Sequence, residues 1–169
     1  MTKIQNVHLQ LASIQQSYKD QYYEIYLENK NYHKFGYSEP KSRDKFEERF
    51  ENSEVDPCFV LVNDSDVVLG FCGVETFRSV AWAEINYVIK KKFQNKGLGK
   101  TMLNLVISEL KQTGFVDYIE AVTIQNPNSD RLLESLGFQK ASFYPEYRKI
   151  IIDGKYTKLN QTGFFLKIK

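Results

Sequence analysis

Between residues 85 and 110 the hydrophobic pattern changes once, from strand to helix, and the change runs through two glycines. An apolar, β-branched run at 85–89 leads through three lysines into Phe93-Gln94-Asn95-Lys96-Gly97-Leu98-Gly99-Lys100-Thr101. Leu98, Met102, Leu103, Val106 and Leu110 then recur at helical spacing, and Gly114 ends the pattern. The leading amides of a helix have no partner within it and lie at the positive end of its dipole, while glycine lets an anion approach the backbone. The junction therefore predicts a strand, turn and helix that hold a phosphate-bearing ligand.

The remaining composition narrows what surrounds this unit. A chain of 169 residues, 42% apolar and 14% aromatic, suits one well-filled core, and no linker divides it, so residues 1–169 read as a single domain. Basic and acidic residues are intermixed and leave a net charge of +2, which argues against nucleic acid and membrane surfaces as partners. Lys90, Lys91, Lys92, Lys96 and Lys100 nevertheless crowd the glycine pair. Cys58 and Cys72 stand in apolar surroundings without a secretory pattern ahead of them, so we expect reduced core thiols and a cytoplasmic protein. His8 and His33 belong to no ligand pattern, which predicts no metal site.

Residues 7–11 alternate as a first strand, and 17–28 and 41–50 read as helices separated by an aromatic loop at 31–37. Runs at 59–62 and 67–74, parted by Asn63-Asp64-Ser65-Asp66, predict a hairpin, and 82–89 continues the meander. After the glycine helix, 118–124 reads as a strand. Asn126-Pro127 opens another helix, closed by Gly137-Phe138. Residues 143–152 and 156–168 form a last long hairpin around Asp153-Gly154. Strands and helices mix without strict alternation, which predicts an α+β chain with a largely antiparallel sheet.

Gly99-Lys100-Thr101 matches the end of a P-loop, but Gln94 stands where its first glycine is needed, and Met102 replaces the third glycine of a dinucleotide loop. The pattern that fits is [QR]xxGx[GA], at Gln94, Gly97 and Gly99, between an apolar strand and a helix. Preceded by Ala83-Glu84-Ile85-Asn86-Tyr87-Val88-Ile89, and followed downstream by Asn126-Pro127-Asn128-Ser129 with Leu132, Leu133, Leu136, Gly137 and Phe138, the chain resembles the GNAT N-acetyltransferases. Within them it resembles the RimJ/RimL-type branch, the ribosomal-protein N-terminal acetyltransferases and their relatives. Residues 55–169 carry the match. Asn86, Lys91 and Asn95 depart from residues usual in that branch, and Leu133 stands where many GNAT branches have an acidic tyrosine.

The resemblance implies a GNAT fold of about seven strands flanked by about four helices, with acetyl-coenzyme A as co-substrate and no metal. It implies that Gln94, Asn95, Lys96, Gly97, Leu98, Gly99 and Lys100 hold the pyrophosphate. Backbone groups of Tyr87, Val88 and Ile89 would hold the pantetheine arm and the developing oxyanion, and Asn126 and Ser129 would contact the coenzyme. The acceptor would be a small-molecule amine or a protein N-terminus that attacks directly in a ternary complex. Similar enzymes are often homodimers.

An amine acceptor with a pKa of about 10.4 must lose a proton before it attacks. Glu84 is the only acid within the central strand and the candidate base, with Ser129 as a candidate acid. Each residue also has a purely structural reading. Glu84 could be a salt-bridged or edge glutamate, Asn126 an N-cap, Ser129 a first-turn serine, and 87–89 ordinary sheet core. A non-catalytic acyl-coenzyme A sensor and a P-loop nucleotide-binding protein are the competing functional readings.

Overall fold

The computed structural model describes residues 7–12, 16–28, 42–44, 58–152 and 155–169. The strands are β1 Val7–Ala12, β2 Cys58–Asn63, β3 Val68–Phe77, β4 Trp82–Ile89, β5 Tyr118–Ile124, β6 Gln139–Ile152 and β7 Lys155–Lys167. They form one seven-stranded sheet in the order β1-β2-β3-β4-β5-β7-β6. All neighbours are antiparallel except β4 and β5, which are parallel because a helix crosses between them. The α-helices are α1 Gln16–Glu28, α2 Leu98–Thr113 and α3 Pro127–Ser135.

Each element follows from local chemistry. Asn63 closes the β2 to β3 turn, its Oδ1 accepting from the N–H groups of Ser65 at 3.1 Å and Val67 at 2.9 Å. Asp66 takes the positive φ of 57° that the turn requires. The helix α2 buries Leu98, Met102, Leu103, Val106, Ile107 and Leu110 and ends at Gly114 in the left-handed region. Pro127 opens α3, and Gly137, with φ 89°, turns the chain so that Phe138 N–H bonds Leu133 C=O at 3.1 Å.

The sheet is a middle layer. On one face α2 and α3 cover Phe59, Leu61, Leu69, Cys72, Ala83, Ile85 and Ile89. On the other, Tyr18 and Ile25 of α1 pack on Val60, Val62, Val68 and Phe71. A register shift beside Leu61 lets Val68 and Phe71, three residues apart, share this second face. Two bonds pin α1 to the β2 to β3 hairpin: Tyr18 Oη donates to Asp66 at 2.9 Å, and Gln21 accepts from Val68 N–H at 3.2 Å.

The expected strands and hairpins stand, the last hairpin beginning four residues earlier, at Gln139. Its turn residues 153 and 154, the aromatic loop 31–37 and most of the helix expected over 41–50 lie outside the described residues, although 43 and 44 are helical. Three α-helices are therefore described where about four were expected. Cys72 is buried, and the strand register sets Cys58 opposite Gly73. Among the described residues no helix is long and apolar enough to cross a membrane.

Candidate active site

The strand β4 pairs with β3 as far as Ile89, opposite Gly70, but with β5 only from Trp82 to Glu84. Meanwhile β5 stays with β7 along its whole length. The sheet thus splits after Glu84, and the free edge of β4 lines a cleft. Lys90 N–H bonds Leu69 C=O at 2.8 Å, so Ile89 turns its own amide away from β3, and alternation does the same for Tyr87 and Ile85. The Ile89 and Tyr87 N–H groups face the cleft, while that of Ile85 points to β5 beside the Glu84–Glu120 pair. The Val88 amide does not, because its pairing with Phe71 commits it to the β3 ladder.

At the mouth of the cleft, Gln94 Nε2 donates to Ile89 C=O at 2.9 Å and folds the turn back onto β4. Asn95 and Gly97 then take φ of 58° and 80°, the left-handed backbone that asparagine tolerates and glycine prefers. No side chain caps α2 at Gly97. Thr101 N–H makes the helix's leading bond, to Gly97 C=O at 3.1 Å, and its hydroxyl turns to the same oxygen. The amides of Leu98, Gly99 and Lys100 are left at a positive helix end with no side-chain acceptor.

The two glycines divide the work. A Cβ on Gly97 would meet nothing within 4 Å, so that residue faces open space. A Cβ on Gly99 would stand 3.0 Å from Leu132 Cδ2 and 3.8 Å from Ile89 Cγ1, so Gly99 lets α2 lie close to α3 and the end of β4. The lysine cluster is likewise less uniform than its sequence suggests. Lys90 pairs with Glu24 of α1 at 3.2 Å, and Lys100 Nζ bonds Ser135 C=O at 3.3 Å, at the C-terminal end of α3. Lys92 and Lys96 are exposed and lie over the Phe93 ring, at 4.9 and 5.7 Å from its centroid.

The third wall is the first turn of α3. Asn126 accepts from Ser129 N–H at 3.4 Å and donates through Nδ2 to Ser129 Oγ at 3.0 Å. Asn126 therefore caps the helix through Ser129 in its first turn, and each retains unused hydrogen-bonding capacity for a ligand. Leu133 is fully buried in the core. Near Ser129 lies the buried Tyr87 hydroxyl; burial pushes its pKa up to about 12, with a side-chain hydrogen bond to Ser129 partly opposing.

Glu84 lies on the opposite face of β4 from Tyr87, at the fork. It sits in a row of carboxylates, opposite Glu75 on β3 and Glu120 on β5. Burial, then the charge of Glu75, raises its pKa above the ordinary carboxylate value. Burial, then the charge of Glu84, raises that of Glu120. A carboxylate held above its ordinary pKa is a stronger base than an exposed one. Glu75 and Glu120 escape sequence reading because only the strand pairing brings them beside Glu84. Among the described residues, no group of His, Cys, Asp and Glu is placed to hold a metal ion.

The model of the Acetyltransferase (GNAT) family matches residues 12–138. No curated protein sequence matches the chain. Among solved structures, the fold is similar to an N-acetyltransferase from Staphylococcus aureus Mu50, at 21% identity and TM-score 0.78 over 97% of this chain and 99% of that one. It is similar to spermidine N-acetyltransferase from Vibrio cholerae in complex with CoA and spermine, at 19% identity and TM-score 0.77 over 95% of each chain. It is also similar to a GNAT superfamily phosphinothricin acetyltransferase from Sinorhizobium meliloti in complex with AcCoA. There the identity is 20% and the TM-score 0.78, over 96% of this chain and 88% of that one.

Proposed function

Because the chain belongs to the acetyltransferase (GNAT) family, we propose that it is an N-acetyltransferase of the RimJ/RimL type, taking acetyl-coenzyme A as donor and a primary amine as acceptor. The observation that carries the reading is the split of β4 from β5 after Glu84, beside a helix start that no side chain caps. The cleft's features fit the coenzyme. The open side of Gly97 and the leading amides of α2 suit a pyrophosphate, and the free N–H edge of β4 suits an extended amide-bearing arm.

The coenzyme supplies the acetyl group as an activated thioester. Residues 97–100 hold its phosphates with backbone amides, and Lys96 adds charge from the rim. Gln94 keeps the turn against Ile89, so the phosphate site and the β4 edge hold a constant separation. The Ile89 and Tyr87 amides bind along the arm, and the Tyr87 amide, nearer the fork, is the donor for negative charge developing on the attacked carbonyl oxygen. Asn126 and Ser129 bound the same cleft and position the arm from α3. Glu84 takes the proton of the acceptor amine, directly or through water, with burial and the neighbouring Glu75 sustaining its basicity.

The acceptor is a small amine or a protein N-terminus. Calorimetric titration with acetyl-coenzyme A, followed by a mass-spectrometric screen of polyamines, amino acids and peptide N-termini, tests the reading. Binding together with a mass gain of one acetyl group on an amine is expected. Absence of coenzyme binding refutes the site, and binding without transfer to any amine leaves the coenzyme sensor in its place.

A further inference from the structure

Two ties hold the first turn of α3 to the parted strands, one to each. Ser129 meets the Tyr87 hydroxyl of β4 in a side-chain hydrogen bond. The next residue, Asp130, accepts from Thr123 Oγ1 of β5 at 2.6 Å, a length typical of a hydroxyl bonded to a carboxylate. Glu84 and Glu120 are register partners where the strands last pair, and Tyr87 and Thr123 each stand three residues beyond them. Consecutive residues of one helical turn therefore link equal heights of the two lips, on the face of the sheet away from those carboxylates.

The helix by itself gives the Asp130 carboxylate no use. Asn126 already supplies the cap, and Asp130 N–H bonds Asn126 C=O at 3.0 Å as any fourth helical residue would. The turn leading into α3 is strained, since Gln125, not a glycine, takes a φ of 44°. Leu133 is the one fully buried side chain of α3. A short helix behind a strained turn, with a single buried apolar anchor, gains a fixed start from a polar tie. Thr123, 5% exposed, gives that tie a rigid base on β5. Past Glu84 the pairing of β4 with β5 has ended, so their separation rests on side chains that span them.

We infer that Asp130 and Thr123 are positioning residues for the coenzyme: with Ser129 and Tyr87 they brace the two lips and set the cleft to the width of one extended arm. The inference rests on the coenzyme occupying this cleft as described above. A loosened brace lets α3 and β5 move away from the β4 edge and weakens contacts along the arm. The phosphate site at the start of α2 is tied to β4 through Gln94 and keeps its shape.

The test measures, by calorimetry, binding of acetyl-coenzyme A and of its nucleotide fragment, phosphoadenosine diphosphate, which has the phosphates but no arm. Thr123→Val removes the hydroxyl while keeping the shape of the side chain, and Asp130→Ala removes its partner. Each is expected to weaken acetyl-coenzyme A binding by about tenfold, as loss of a hydrogen bond to a charged group would give, and to leave the fragment unchanged. Thr123→Ser keeps the donor and should restore wild-type affinity. Thr123→Val combined with Asp130→Ala should lose no more than either alone, because both break the same bond. Equal losses for the two ligands, unchanged acetyl-coenzyme A affinity in both variants, or additive losses in the double variant overturn the inference. If Thr123→Val does not fold, Asp130→Ala, at a half-buried position, carries the comparison. If acetyl-coenzyme A does not bind the wild type, the cleft is not a coenzyme site and the inference falls with that reading.

Discussion

Two glycines in this sheet face the same nominal clash and are expected to answer it differently. A Cβ built on Gly70 of β3 would stand 2.6 Å from the Val88 carbonyl oxygen and 2.6 Å from Ile89 Cδ1. One built on Gly163 of β7 would stand 2.6 Å from Ser142 Oγ. Ordinary contact begins at 3.4 Å, so each is short by about 0.8 Å. At Gly163 the obstacle is a hydroxyl that can rotate away. At Gly70 it is backbone, and the Val88 carbonyl is tied into the ladder with Phe71. Relief there means moving β4.

Overpacking costs about 1–3 kcal/mol, and replacing glycine with alanine returns about 0.4–1 kcal/mol by restricting the unfolded chain. Gly70→Ala should therefore lose about 1–2 kcal/mol net, or about 2–8 °C of melting temperature for a domain of this size. Gly163→Ala should stay within about 0.5 kcal/mol of the wild type. Thermal and urea denaturation of the pair, with the wild type alongside, measures both. Because the displaced segment carries the Tyr87 and Ile89 amides, Gly70→Ala should also weaken acetyl-coenzyme A binding, and Gly163→Ala should not. A harmless Gly70→Ala, or equal losses in the two variants, would refute the argument that the backbone obstacle sets the cost.

Other substitutions test the walls of the cleft. Asn126→Ala removes the α3 cap and should cost about 0.5–2 kcal/mol in urea denaturation, with coenzyme affinity falling further than in a stability-matched control elsewhere. Leu133→Ala opens a cavity at a fully buried site and should cost about 2–5 kcal/mol by the same measurement. Glu84→Gln should lower acetyl transfer most near neutral pH and less as rising pH deprotonates the free amine; an unchanged pH profile excludes Glu84 as the base. The same variant has a stability signature of defined sign. Burial and Glu75 raise the folded-state pKa above the ordinary 4.5, so ionised Glu84 destabilises the fold. Glu84→Gln should be more stable than the wild type at neutral pH, and the difference should shrink as pH falls from the raised pKa to about 4.5.

What could be read directly from the chain was whatever depends on neighbours in sequence. The period of 98–110, the Asn63 turn, the Asn126-Pro127 start and the glycine cap of α2 each involve groups within a few residues, whose geometry the backbone already constrains. These also located the donor end of the site, and the ordered motifs supported membership of the family. Decisions made between distant strands were not legible. Gln94, Gly97 and Gly99 read as one anion motif, yet only packing against Leu132 separates the glycine that seats a helix from the one that faces open space. Val88 looked equivalent to Tyr87 and Ile89 until pairing with Phe71 committed its amide to β3. The five lysines read as one cluster, but Glu24 and Ser135 bind two of them.

The sequence by itself determined the elements and the chemistry available at their junctions, because propensity, capping and periodicity act over a few residues. The tertiary structure decided where that chemistry is usable. β5 keeps β7 while β4 keeps β3, so the sheet parts after Glu84. That parting creates the cleft, with Glu75, Glu84 and Glu120 aligned at its fork, and leaves the Tyr87 and Ile89 amides along its edge. Hydrogen-bond register among strands far apart in the chain sets all of these, and no local pattern encodes it.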